Sequence, residues 1–139
     1  MFNRLIANIL PYFPKKFIWI FSKSYISGET LEDALRVSRE LNNRKIRVTL
    51  DVLGEFITSL EEAEENRKEY LRLIETTEAA GINGNYSLKP TSFGLLIDKE
   101  KCYEHIRDIV ICAASFGNFI RIDMEDSPCT DLEIELFRR

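Results

Sequence analysis

Three short apolar runs, each closed by a charged residue, set the tightest limit on what this chain can fold into. Ile46-Arg-Val-Thr-Leu50 leads to Asp51, Asn85-Tyr-Ser-Leu88 leads to Lys89, and Phe119-Ile-Arg-Ile122 leads to Asp123. Their shortness and their β-branched and aromatic content read as strands. Each interval between the charges holds one strand, loop and helix, and repeated units of that kind build a parallel sheet. Crossovers between parallel strands are almost always right-handed, so the three strands are expected side by side with their helices on one side. That is an arc of a βα barrel. The rival, a doubly wound nucleotide-binding sheet, needs a strand that runs into a Gly-x-Gly-x-x-Gly turn, and none does here.

The helices between the strands announce themselves by their caps. Thr30-Leu-Glu-Asp33 has capping-box spacing, with Leu31, Ala34, Leu35, Ser38 and Leu41 following as one stripe. Ser59-Leu-Glu-Glu62 repeats the signal before a long helix with Tyr70, Leu73, Ile74 and Thr77 inside, a charged outer face, and Gly81 at its end. Asp98 is expected to cap a third helix that buries Cys102, Ile106, Ile109, Ala113 and Phe116 and stops at Gly117. Thr130-Asp-Leu-Glu133 reads as the cap of one more.

Composition excludes several functions. With 139 residues, 45% of them hydrophobic, the chain amounts to one domain or part of one. The 19 Lys and Arg against 23 Asp and Glu form no block of either sign, which argues against nucleic acid as a partner. Cys102, Cys112 and Cys129 are too few and too irregular for a disulfide framework or a zinc site, so no metal is expected, and the odd count fits reduced thiols in the cytoplasm. The single histidine, His105, lies in a helical stretch and is expected at the surface or half-buried. Histidine metal clusters and nucleophile triads therefore lack their usual base.

Residues 1–26 are apolar and aromatic, but Asn8, Pro11, Pro14 and the Lys15-Lys16 pair interrupt them. They fall short of the roughly 20 apolar residues of a spanning helix, and no small-residue cleavage site follows a short apolar core. The reading is an N-terminal helical arm over 1–26 and a partial barrel domain over 27–139. An interfacial helix touching lipid, at the periphery of the inner membrane, is the sharper alternative for the arm.

In a βα barrel the reacting groups stand at the carboxyl ends of the strands, where the loops share a mouth. Asp51 with Glu55, Lys89, and Asp123 with Glu125 and Asp126 would converge there. Any one polar strand end is explained by wet loops, whereas three in succession after apolar strands point to function. Lys89 among carboxylates stays protonated, which makes it an anion hook for a substrate carboxylate rather than a Schiff-base nucleophile. Asp123 would orient the substrate or a cationic partner, and Met124 offers a polarizable contact beside a flat ring.

Four runs carry a resemblance: Ser27-Gly-Glu-Thr-Leu-Glu-Asp-Ala, Thr49-Leu-Asp-Val-Leu-Gly-Glu55, Ser87-Leu-Lys-Pro-Thr91 and Arg121-Ile-Asp-Met-Glu-Asp-Ser127. In this order and spacing they resemble the flavin-dependent proline dehydrogenases of monofunctional bacterial type. The resemblance implies a distorted TIM-like βα barrel that holds FAD and passes a hydride from L-proline to it, giving 1-pyrroline-5-carboxylate, with a quinone as final acceptor. By the same resemblance Lys89 pairs with the proline carboxylate, Asp123 is a catalytic strand-end aspartate and Met124 touches the flavin. Asp51, Glu55 and Glu125 brace the site from behind.

A whole βα barrel takes about 250 residues. In the family the later strands bring most flavin contacts, and the last helix brings a paired arginine that Arg138 and Arg139 do not match. The expectation is therefore an α/β fold holding the first three strand-helix units of an incomplete barrel, from a truncated, split or partial gene. An open arc leaves strand edges unpaired, so these residues alone are expected to bind FAD weakly and to oxidise proline poorly. A second chain supplying the rest of the barrel would repair this. Two rivals stand beside the reading: a Schiff-base aldolase-type barrel using Lys89, and a non-catalytic subunit that completes its sheet against a partner.

Overall fold

The computed structural model describes Ser27, Gly28, residues 30–54 and residues 57–139. The expected arm over residues 1–26, and with it any membrane contact, lies outside the described residues, as does Glu55. The described residues fall into two units divided between Val37 and Ser38, and each is taken by itself. In the first, helix α1 (Leu31–Asn43) begins with the expected cap. Thr30 Oγ1 accepts the Asp33 N–H at 3.2 Å, and Asp33 in turn holds Arg36 at 3.1 Å.

The second unit is an α/β layer. Strands β1 (Val48–Leu50), β2 (Gly84–Leu88) and β3 (Ile120–Ile122) alternate with helices α2 (Leu60–Ala79) and α3 (Lys99–Ser115), and helix α4 (Thr130–Phe137) follows β3. The strands lie in the order β1-β2-β3, all parallel, with Leu50 opposite Tyr86 and Leu88 opposite Ile122. Neighbours in sequence are thus neighbours in space, as expected of consecutive right-handed units. No helix among the described residues is long and apolar enough to cross a membrane.

Side chains alternate across a strand, so this register sorts the sheet into two faces. Val48, Leu50, Gly84, Tyr86, Leu88, Ile120 and Ile122 share the face toward α2 and α3. Tyr86, 2% exposed, shares a 2.6 Å hydrogen bond with Thr77 Oγ1 of α2 and donates to Glu78 at 2.9 Å. Ala63, Leu73, Ile74, Leu88, Phe93 and Ile109 complete this core, and each of its larger aliphatic or aromatic side chains contributes about 1.5–3 kcal/mol by leaving water. Gly84 is required by proximity, because a Cβ there would stand 2.8 Å from the Val48 carbonyl oxygen. The opposite face carries Thr49, Asn85, Ser87 and Arg121, with a 2.9 Å hydrogen bond from Thr49 Oγ1 to Asn85 Oδ1 linking β1 to β2.

Both long helices start as their sequences imply. Ser59 Oγ accepts the Glu62 N–H at 3.3 Å, and Asp98 Oδ1 accepts the Glu100 and Lys101 N–H groups at 3.0 and 3.1 Å. Gly81 and Gly117 follow α2 and α3 with φ of +66° and +72°, the left-handed exit that glycine adopts without a Cβ penalty.

Several expectations need correction. Phe116 is 49% exposed rather than buried, because α3 ends at Ser115 and Phe116 caps it from outside the packed stripe. His105 is buried, not superficial: the inner face of α3 is wide enough to include the position three after Cys102. There Nδ1 stands 3.4 Å from the Phe93 carbonyl and Nε2 stands 3.6 Å from Glu64. Thr130 does not cap α4. It is already helical, Cys129 occupies the cap position without a side-chain hydrogen bond, and Glu133 is turned inward instead.

Candidate active site

The carboxyl ends of β1 and β2 bring two of the expected charges together. Lys89 Nζ stands 3.4 Å from Asp51 Oδ2, each side chain about a quarter exposed. Asp51 is not free to turn away, because the Tyr70 hydroxyl, reaching over from α2, lies 2.5 Å from Asp51 Oδ1 and 2.7 Å from the Ser87 carbonyl. The same hydroxyl accepts the Val52 N–H at 3.1 Å. Burial, and after it the Asp51 hydrogen bond, raise the Tyr70 phenol above its ordinary range, so it stays a neutral donor.

Lys89 is followed at once by a structured turn. Pro90–Phe93 form one turn of 3-10 helix, a use of Pro90 at its first position that pre-sets the backbone, and Gly94 closes it at φ +92°. Neighbours pin this turn on several sides. The Ser92 hydroxyl donates to the Gly54 carbonyl after β1, Asn66 of α2 donates to the Ser92 carbonyl at 2.8 Å, and Glu125 after β3 accepts from both Thr91 N (2.9 Å) and Thr91 Oγ1 (2.5 Å). From below, the Cys102 thiol donates to the Pro90 carbonyl at 3.5 Å; burial, and next the Glu125 charge, push it up to about 12, so it remains a thiol. Lys89 is therefore presented from a clamped backbone.

Asp123 continues the sheet one residue past β3, its N–H donating to the Leu88 carbonyl at 2.9 Å. It therefore flanks Lys89 on the side away from Asp51. Strand alternation puts its side chain on the face shared by Ser87 and Lys89, where it is half-buried. Met124, next along, is 56% exposed. Glu125 points elsewhere: its carboxylate is spent on Thr91, and its own N–H donates to Glu133 Oε1 at 3.1 Å. Glu133 is 1% exposed, and its Oε2 is buried without a hydrogen-bond partner among the described residues. Burial chiefly, and then the neighbouring Glu125, raise its carboxyl above the ordinary carboxylate range.

Of the six residues expected here, the structure joins Asp51 and Lys89 directly, sets Asp123 beside them by backbone pairing, and leaves Met124 open next to Asp123. Glu125 braces the Lys89 turn. Two participants are not evident from the sequence. The helical pattern places Tyr70 in the core alone, although a buried tyrosine generally needs a partner for its hydroxyl. Glu133 reads as the last member of a capping box.

One ammonium between two carboxylates, one of them locked in rotation, can hold a zwitterion: Lys89 meets a carboxylate and Asp123 a cationic amine. Two further groups suit a flat, polar-edged cofactor. Met124, next to Asp123 in the chain, is largely exposed, and Ser87 Oγ, in a residue only 5% exposed on the face of Lys89, has no hydrogen-bond partner among the described residues. An exposed thioether-bearing residue and an uncommitted buried hydroxyl are compatible with an isoalloxazine ring.

Comparison with known proteins agrees on one family. The profile described as proline dehydrogenase matches residues 34–139. A proline dehydrogenase of Deinococcus radiodurans is 34% identical over 124 residues, which span 87% of this chain and 40% of that protein. Proline dehydrogenase 2 of Bacillus subtilis is 34% identical over 113 residues, 81% of this chain and 37% of its own length. The chain thus spans about two fifths of these relatives. In fold it is similar to the crystal structure of proline utilization A from Bdellovibrio bacteriovorus inactivated by N-propargylglycine, with a TM-score of 0.77 at 23% identity, covering 88% of this chain and 15% of that one.

Proposed function

The chain belongs to the proline dehydrogenase family, and on that premise we propose that it serves the FAD-dependent oxidation of L-proline to 1-pyrroline-5-carboxylate as the first three βα units of a TIM-like barrel. The observation that carries the reading is the Lys89 ammonium at the mouth, braced by Asp51 at 3.4 Å and flanked by Asp123. Lys89 binds the proline carboxylate. Asp123 orients the ring nitrogen, and the two together hold the substrate ring at a fixed height above the sheet. FAD, when bound, supplies the hydride acceptor. Met124 offers its ring system an apolar contact, and Ser87 a hydrogen bond. Glu55, in the same motif as Asp51, belongs with the bracing acids, and a quinone is the final electron acceptor proposed on family resemblance.

The Schiff-base alternative finds no support in this geometry. An ammonium close to a carboxylate is favoured in its charged form, which cannot attack a carbonyl.

The remaining strands of the barrel, in this reading, come from sequence outside these 139 residues. The test joins this chain to the later strands of the Deinococcus radiodurans relative, with the chain alone as control. The joined assembly is expected to purify with flavin and to bleach with L-proline but not with pyrrolidine, which lacks the carboxylate. A flavin-loaded assembly that L-proline leaves oxidised overturns the reading.

A further inference from the structure

Tyr70 does something at the strand ends that neither its place in the core nor the three charges explain. Its ring is packed as a core residue, 1% exposed and edge-on to Phe93 at 5.3 Å. Its hydroxyl is shared among three partners of the mouth: Asp51 Oδ1 at 2.5 Å, the Ser87 carbonyl at 2.7 Å and the Val52 N–H at 3.1 Å. A phenol has one proton to give. The Val52 N–H already occupies a lone pair, so the proton goes to one of two acceptors, and the charged, closer carboxylate takes it. Asp51 is then held through Oδ1, which leaves Oδ2 turned toward Lys89 Nζ.

A carboxylate at a strand end otherwise turns easily about its terminal torsion, which is broad and two-fold rather than staggered. Nothing about a filled core requires a hydroxyl at this spot, since the ring alone would fill the space beside Phe93. We propose that Tyr70 is a positioning residue: its hydroxyl fixes the rotation of the Asp51 carboxylate and, through it, the place at which the Lys89 ammonium is held. This deepens the assignment of Lys89 as a carboxylate hook and rests on it for its meaning to substrate, while the geometry stands on its own. The Tyr70 anchor comes from the helix layer and so ties the Asp51 side chain to α2, as Asn66 ties the Lys89 turn.

The test reads Lys89 directly in the full 139-residue chain. Purified protein is acylated with a trace of acetic anhydride over a pH series, and the Lys89 rate is taken by mass spectrometry relative to Lys68, which stands on the exposed face of α2. Tyr70→Phe keeps the ring and removes the hydroxyl. It is expected to raise relative acylation of Lys89 about three- to tenfold, the loss of one hydrogen bond in the chain of contacts. The increase should be in the same direction as that of Asp51→Asn without exceeding it, and be absent when Tyr70→Phe is added to Asp51→Asn, because the hydroxyl acts through Asp51.

An unchanged Lys89 rate in Tyr70→Phe, or an equal increase in the Asp51→Asn background, overturns the proposal. If Tyr70→Phe does not fold, 3-fluorotyrosine placed at position 70 decides the matter. It is nearly isosteric and a stronger donor, and it must shift the Lys89 profile in the opposite direction from Asp51→Asn. Protection of Lys89 by L-proline but not pyrrolidine, read by the same acylation in the assembly joined to the later strands, reports on the hook itself. A wild type without protection sinks that assignment and leaves the Tyr70 result standing.

Discussion

The two faces of the three-stranded sheet are built on opposite principles. Toward α2 and α3, Tyr86 and Leu88 are buried, Val48, Leu50, Ile120 and Ile122 are half-buried, and even the hydroxyl of Tyr86 is satisfied locally by Thr77 and Glu78. On the other face Thr49 and Arg121 are exposed, Ser87 is buried with an uncommitted Oγ, and the row ends in Asp51, Lys89 and Asp123. The first face resolves each polar group within the described residues. The second gathers three charges at the strand ends and leaves one hydroxyl, Ser87 Oγ, without a partner among the described residues, an arrangement that costs stability and is retained where a ligand can use it. Stability and function are therefore expected to separate by face.

The sharpest attempt to break that division is Lys89→Met. In the assembly proposed above, joined to the later strands, it should lower kcat/KM for L-proline about 10- to 100-fold, the size of a lost charge-assisted contact, while the thermal midpoint of the chain alone stays within a degree or two. A large fall in the midpoint would mean that the polar face also carries the fold. The reverse experiment is Gly84→Ala on the packed face. Its new methyl group meets the Val48 carbonyl, so a loss of about 1–3 kcal/mol by urea unfolding is expected, with Lys89 acylation unchanged in the folded fraction.

Glu133 sharpens the comparison, because it is a buried carboxyl beneath the functional side. Its folded-state pKa is raised, so the native state holds the proton more tightly than the unfolded chain does. The carboxyl is neutral in both states at low pH and costs stability as pH rises past its ordinary value. Glu133→Gln keeps the oxygen that accepts the Glu125 N–H and removes the charge. It should stabilise the chain by about 1 kcal/mol at neutral pH, with the gain vanishing below about pH 4. A pH-independent gain would rule out the charge as its cause.

The smallest effect is expected at Glu64, on the outer side of the helix layer. Arg67 binds it with two hydrogen bonds, at 2.7 and 2.8 Å, and holds its carboxyl down to about 2. A depressed acid stabilises above its unfolded value of 4.5 and loses that contribution as pH falls toward 2. The pair is partly open to solvent, so its share is below about 1 kcal/mol. The midpoint difference between wild type and Glu64→Gln should therefore be small at neutral pH and close on acidification.

Strand order, parallel direction, helix starts and the strand-end charges were legible in the sequence because each depends on local pattern: apolar runs, caps at Thr30, Ser59 and Asp98, and glycines at Gly81 and Gly117. What escaped depends on where two elements meet. The Tyr70 hydroxyl becomes part of the mouth only because α2 crosses over β1 and β2, 19 residues from Asp51 in sequence. His105 and Glu133 read as helix-surface groups until a neighbour covers them. The Thr130 cap failed for a related reason: cap spacing recurs by chance, and Glu133 was drawn inward by the Glu125 N–H that it satisfies. Pro90 marked a turn, but its four-residue helical form rests on contacts from Gly54, Asn66 and Glu125 that no local pattern announces.

The segment from Lys89 to Gly94 has the length of a loop and the wiring of a joint. Loops ordinarily absorb insertions, because little beyond their ends depends on them. Here the run after β1, the run after β3, α2 and α3 all attach to the same four residues, so one added residue would disengage several attachments together. Length variation among proteins built on this plan should accordingly gather after β1 and after β3, where the chain is held at fewer points, and spare the six residues that follow β2.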